Sequence, residues 1–248
     1  MPSLEEWLRA SWGDFCRRWL VLMAVAGVGG AATLAGVLLP LLAAGLAVMT
    51  GADPMTAVGL GTSVALALGL WLSTWTQAAV LRAVLFEEGA AEVLSSSWAL
   101  TAGFAWVLSL FLLAAGGGFF LLVLPGIILS ILLVAAPVYQ MSGEAEGLRA
   151  LELSWARVRP RFGAVSLRIC LAGFVTLAPG WIPYVGWILA PLWAPFGIVA
   201  TARLARDLRD AAPIEEPPRL KTLVAGLCLV CALGVAASGW GAVRTYRA

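Results

Sequence analysis

The sequence predicts an all-α, polytopic membrane protein of about seven transmembrane helices, a six-helix core plus one, with in-plane amphipathic elbow helices on the cytoplasmic side. Three observations predict it. The 248 residues are 61% hydrophobic and 12% charged, about half the charged fraction of a soluble domain. Several apolar runs reach the ~18 residues that read as a membrane span, and mean hydropathy is +0.94. Once the spans are drawn, all sixteen Lys and Arg fall on one side except Arg244 and Arg247. The positive-inside rule then makes the N-terminus cytoplasmic and the C-terminus extracytoplasmic.

Taken in order, residues 3–16 form an amphipathic helix. Leu4, Trp7, Leu8, Ser11, Trp12 and Phe15 share one face. Ser3 suits the N-cap, and Glu5 and Glu6 suit the positive end of the helix dipole. Glu6, Arg9 and Arg17 on the opposite face place this helix in the headgroup plane. No cleavable signal peptide is expected, because the leading residues are acidic as well as basic. The first span lies within 19–49 and is long enough to tilt or bend at Pro40. Gly27, Ala31 and Ala35, and likewise Ala32 and Gly36, recur at i, i+4, small faces that admit another helix.

Residues 50–54 make a turn, and the second span follows within 55–86. Glu87, Glu88 and Glu92 open a short helix ending at Trp98, and the third span is 99–123. Leu124-Pro125-Gly126 reads as the tightest turn, with Pro125 and Gly126 as its structural residues. The fourth span, 127–141, holds Pro137. Residues 142–161 are a second amphipathic element: Leu148, Leu151, Trp155, Val158 and Phe162 share a face, and Arg149, Arg157 and Arg161 face away. The fifth span is 162–177, residues 179–187 form an aromatic turn suited to a headgroup interface, and the sixth span is 188–202. The domains are therefore an interfacial helix (1–18), a membrane core (19–210), a Pro-rich linker (211–219) and a C-terminal transmembrane helix with a short tail (220–248).

Leu-x-x-Ser-Trp occurs three times, at 8–12, 94–98 and 151–155. Each copy follows acidic residues and precedes a span, which reads as a repeated elbow: a Trp-anchored helix in the headgroup region feeding into the bilayer. Trp12, Trp98, Trp155, Trp181 and Trp187 are the expected interfacial anchors.

Around the third copy stand Leu124-Pro125-Gly126-Ile127, Pro137, Gly143-Glu144, Ala150-Leu151-Glu152-Leu153-Ser154-Trp155, and the basic-aromatic end formed by Arg159, Arg161 and Phe162. This arrangement resembles the membrane domain fused to some bacterial glycerophosphodiester phosphodiesterases, which also occurs in free-standing multi-spanning proteins of unknown function. The segment Arg206-Asp207-Leu208-Arg209 is similar to that family's closing Y-x-D-L-R, with Ala205 where Tyr is usual. The resemblance implies a six-helix core with in-plane helices in the bacterial inner (cytoplasmic) membrane. It carries over no activity, because the phosphodiesterase catalytic domain is absent; the span after the Pro-rich linker departs from the family's usual six.

The sequence argues against catalysis. His is absent, and all fourteen Asp and Glu fall in loops, elbows or span edges. Mid-span carboxylates, which mark proton and ion relays, are missing. Cys228 and Cys231 read as small residues on one helix face, and Gly116-Gly117-Gly118 as a close-packing point or kink. No cofactor or metal is expected. The expected function is that of a non-enzymatic, lipid-interacting scaffold or accessory subunit. The alternative is a carrier or channel for a lipid or small apolar solute, suggested by Pro40, Pro137, Pro191 and Pro195. The expected partners are membrane lipids and either a second copy or other membrane subunits, not nucleic acid. Arg149, Arg157, Arg159, Arg161 and Arg168 are the candidate contacts for anionic lipid. In the sharpest version, Arg157, Arg159 and Arg161 bind a phosphate beside Trp155. Arg82 and Arg168 are expected to snorkel to headgroups, pair with the elbow acids or bind lipid phosphate.

Reporter fusions after Asp210 and after Ala248 are expected to report opposite sides of the membrane. The same side for both would remove the first or the last span.

Overall fold

The computed structural model describes residues 1–86, 88–182, 186–211 and 220–247, with backbone only for 187–192 and 235–247. Among these residues there are nine α-helices and no strand. The helices are α1 (Leu4–Met49), α2 (Pro54–Phe86), α3 (Ala90–Leu121), α4 (Val123–Leu133), α5 (Ala136–Met141), α6 (Leu148–Val158), α7 (Phe162–Leu177), α8 (Gly186–Asp210) and α9 (Lys221–Arg247). Two 3₁₀ turns, Arg159–Arg161 and Ala178–Trp181, follow α6 and α7.

Five helical stretches are long and apolar enough to cross a bilayer: Leu4–Met49, Pro54–Phe86, Ala90–Leu121, Val123–Met141 and Leu148–Trp181. They coincide with the first five spans expected from sequence. The sixth and seventh correspond to α8 and α9, each of which includes residues described by backbone only. The chain is thus all-helical, as an α-helical membrane protein should be.

The helices run on where the sequence suggested elbows. Nothing breaks α1 between its amphipathic start and its apolar run, and α3 passes through Trp98 without interruption. No proline stands at either junction, so the i→i−4 ladder continues. At ~1.5 Å per residue α1 is about 69 Å long, roughly twice the hydrocarbon thickness. Only the third copy is interrupted: Pro160 has no N–H to donate, and Arg159–Arg161 tightens into 3₁₀ geometry between α6 and α7.

The chain packs as two compact units, Asp14–Thr101 and Met1–Gly13 with Ala102–Ala248. In the first, α1 and α2 form an antiparallel hairpin. The turn is built by its caps. Gly51 adopts φ +101° after α1, Ala52 N–H reaches Ala47 O at 2.9 Å, and Gly51 N–H reaches Val48 O at 3.1 Å. That pairing ends a helix with a left-handed residue. Asp53 then caps α2, accepting the Thr56 N–H at 2.8 Å and its hydroxyl at 2.7 Å, with Pro54 as the first helical residue. Leu22, Val25, Gly29, Gly36 and Ala44 form the buried stripe of α1. The Gly27–Ala31–Ala35 face points outward instead, and a Cβ at Gly27 would meet nothing within 4 Å. The two four-residue series could not be ranked from spacing alone; what α2 presents opposite them decides. A Cβ at Gly61 would lie 2.4 Å from Ala44 Cβ, so the two helices approach closely there.

In the second unit α7 lies along α8, and α6 packs across α4, α5 and α8. Trp7, Tyr139, Leu133, Leu151, Phe196, Leu204 and Leu208 are among its fully buried side chains. The reversal between α3 and α4 occurs at Leu122, whose φ −164° and ψ 153° are extended, ahead of the expected Pro125-Gly126 turn. Pro125 falls in the first turn of α4, where a missing N–H costs nothing. Gly126 faces back onto α3, against Phe119 and Gly118. The Gly116-Gly117-Gly118 run serves two neighbours. Gly118 admits α4, while Gly116 and Gly117 admit α9 through Cys231 and the Leu227 backbone.

A Cβ at Gly117 would lie 2.1 Å from Leu227 O, with backbone on both sides. Gly117→Ala is expected to cost about 1–3 kcal/mol. Gly226→Ala, on the same α9 but with nothing within 4 Å, is expected to be neutral or to stabilise by about 0.5–1 kcal/mol. Thermal unfolding in detergent checks both; equal Tm values would mean that α9 is not seated on α3.

Candidate functional site

The three Leu-x-x-Ser-Trp copies share more than sequence. Each serine, Ser11, Ser97 and Ser154, is fully buried. The residue one turn before it, Trp7, Val93 or Ala150, is also fully buried. The residue one turn after, Phe15, Thr101 or Val158, is at most 6% exposed. The tryptophan beside each serine lies off this stripe: Trp12 and Trp98 are exposed and Trp155 is half-buried. An i−4, i, i+4 row is one helix face, so each copy presents a serine at the centre of its packing seam.

The serines are used differently. Ser11 donates to Trp7 O within its own helix at 2.9 Å. Ser97 Oγ has no partner among the described residues. Ser154 links elements: it donates to Leu132 O at 2.8 Å and accepts the Ala135 N–H at 3.2 Å. Those groups flank the break between α4 and α5, just ahead of Pro137, where the helical ladder lapses. One hydroxyl therefore satisfies both polar groups at the interruption and seats α6 against it.

Above this latch the α5–α6 loop carries a dense polar cluster. Glu144 accepts a hydrogen bond from Arg157 Nη1 at 2.7 Å and forms an ion pair with Arg209 Nε at 2.9 Å, joining the loop, α6 and α8. The Arg157 guanidinium also lies over the Tyr139 ring, 4.6 Å from its centroid. Arg157 and Glu144 are 13% and 20% exposed, so the pair is shielded from water and breaking it would be costly. Gln140 Oε1 accepts the Gly147 N–H at 2.8 Å, and Gly143 and Gly147 take positive φ of 73° and 56°, folding the loop back. Between loop and helix opens a cleft of about 640 Å³ lined by Gly143, Glu144, Ala145, Glu146, Arg149, Leu153 and Arg157.

The five arginines proposed as a lipid contact do not converge. Arg157 is held by Glu144. Arg161 donates to Ala211 O at 3.1 Å. Arg168 is only 6% exposed and donates to Ala164 O and Pro2 O rather than snorkelling. Only Arg149 and Arg159 are exposed, and no hydrogen bond or ion pair holds either guanidinium among the described residues. In the other unit Arg82 makes a two-pronged pair with Glu88 at 2.8 and 2.7 Å, which holds the Glu88 carboxyl below the usual carboxylate range. Trp98 meets Trp71 and Trp75 edge-on, and Trp181 meets Phe174 edge-on. The Trp187 side chain and residues 212–219 of the linker lie outside the description.

Sequence reasoning missed Tyr139 and Gln140, and it set Glu144 beside Glu146 and Glu152 as a pairing acid without singling it out. The available signal was the Gly143/Gly147 pair, which marks a folded-back loop. Among the described residues no three His, Cys, Asp or Glu gather within metal-binding range. A scan against protein-family models found no match, and searches of the curated proteins and of the solved structures found none either.

Ser154→Ala leaves two buried backbone groups unsatisfied and is expected to cost about 1–3 kcal/mol. Ser11→Ala removes only an intrahelical bond and is expected to stay within about 0.5 kcal/mol. Equal losses in a thermal or denaturant series would contradict the latch.

Proposed function

We propose that this protein is a non-enzymatic membrane scaffold or accessory subunit that works by holding lipid and partner helices. It is read as crossing the inner membrane about seven times, N-terminus inside. Its likeness to the membrane domain of the phosphodiesterase fusions belongs to this proposal. The observation that carries it is the open apolar surface of the α1–α2 hairpin. Only 6% of the most apolar window of α1 and 11% of that of α2 are buried within the chain. Something apolar must cover such faces, and acyl chains or another helix are what a bilayer offers. The charged side chains support the same reading. Arg82, Arg157, Arg161, Arg168 and Arg209 bind protein acceptors, so they fasten the fold rather than line a path for solute.

Purification from the native membrane in mild detergent, with identification of what co-purifies, is expected to return a stoichiometric protein partner or second copy together with retained lipid. A lone chain stripped of lipid, or solute flux through proteoliposomes holding only this protein, would overturn the scaffold reading.

A further inference from the structure

We infer that the cleft between the α5–α6 loop and α6 receives a phosphodiester headgroup bearing a primary ammonium, the chemistry of phosphatidylethanolamine. The proposal rests on the membrane reading above and deepens its lipid-binding part.

The loop follows the apolar Val123–Met141 stretch directly, which puts the cleft at headgroup depth if that stretch spans the bilayer. Its polar groups are biased in kind. The N–H groups of Gly143, Glu144 and Ala145 turn back to α5, to Gln140 O, Tyr139 O and Tyr139 O. The Gly147 N–H is taken by Gln140. Of the N–H groups from Gly143 to Leu148, only those of Glu146 and Leu148 have no partner among the described residues. The carbonyl oxygens of the same three residues accept no hydrogen bond from the described residues, and the exposed Glu146 carboxylate has no partner among them. These acceptors suit a group with three N–H donors. A Cβ at Gly143 would meet nothing within 4 Å, so the rim is open.

The opposite wall supplies the complement. Arg149 is exposed, its guanidinium has no partner among the described residues, and it sits on the first turn of α6, three residues after Glu146. Arg157 is held at Nη1 by Glu144, a carboxylate it shares with Arg209, so this trio keeps one positive charge beside the cleft that would face the phosphate end. Leu153 adds an apolar surface for the glycerol end. One cation, one carboxylate and three carbonyls without partners among the described residues fit a zwitterion better than an anion alone. A choline headgroup has the same charge but its methyl groups donate no N–H, so hydrogen bonding separates the two.

Native mass spectrometry of the full chain, released from mixed micelles with equal phosphatidylethanolamine, phosphatidylcholine and phosphatidylglycerol, tests this. Phosphatidylethanolamine is expected to be retained about tenfold over phosphatidylcholine, a difference of about 1.4 kcal/mol. Glu146→Gln is expected to bring that ratio near one. Arg149→Gln is expected to lower retention of both zwitterionic lipids. Both residues are exposed, so neither change should disturb folding, and an unchanged unfolding temperature verifies that. Equal retention of all three lipids by wild type would overturn the headgroup assignment while leaving the scaffold reading standing. Preference for phosphatidylglycerol would overturn it in favour of a simple anion site. Competition by soluble O-phosphoethanolamine at the same concentration as the lipid would overturn the membrane source.

Discussion

An interrupted helix in an apolar setting has to satisfy the backbone groups it frees, and that requirement organises the larger unit. Between α4 and α5 the ladder lapses at Val134 and Ala135. Water could repair such a break at a surface, but α5 is almost wholly buried, so the repair must come from the protein. Ser154 supplies it from α6. The consequence is geometric. Once Ser154 is fixed, α6 lies across α4 and α5, its first turn faces the loop, and Arg157, one turn further along, reaches both Tyr139 and Glu144. The cleft, the Glu144 cluster and the α8 contact through Arg209 all follow from that one seat.

The helical class and most boundaries could be read from the sequence because they depend on local composition. Apolar length locates spans, and Asp53-Pro54 after Thr50-Gly51 announces the hairpin turn from its caps alone. Elbows were less legible. The acidic start and the Trp repeat mark a change of environment along the helix, but not a bend, and bends require a lost hydrogen bond. Pro160 supplies one, whereas nothing comparable follows Trp12 or Trp98. The choice among small-residue faces on α1 was similarly hidden. Gly27 and Gly29 have the same chemistry, and only Thr76 on the facing helix distinguishes them, at 2.3 Å from where a Gly29 Cβ would sit.

The arginines show the same limit in electrostatic terms. Sequence counts charge by side of the membrane, which is sound, because topology depends on the sum. It does not tell which guanidiniums are already satisfied. Arg157 sits at a helix face that also receives Glu144 from a loop folded back by Gly143 and Gly147, a contact thirteen residues apart in the chain. Arg168 is buried and donates to the carbonyl of Pro2. A planar fork with five donors fits carboxylates and carbonyls as well as phosphates, so a cluster of arginines near a bilayer is as able to staple helices as to bind lipid.

The repeated seam separates what the three copies share from what they do. A buried serine at the middle of an i−4, i, i+4 stripe is a small residue that lets another element approach closely, and its hydroxyl can bond within its own helix, as Ser11 does with Trp7 O, although Ser97 does not. That makes it harmless when no external partner exists. When one does, as at the α4–α5 break, the same residue becomes an inter-element latch without change in its own backbone. The motif thus specifies a packing position rather than a contact. Its three occurrences need a common helix face, which they have, but not a common partner. The copy next to a proline-interrupted helix turns the seam into a fixed loop, and a polar cleft flanks it.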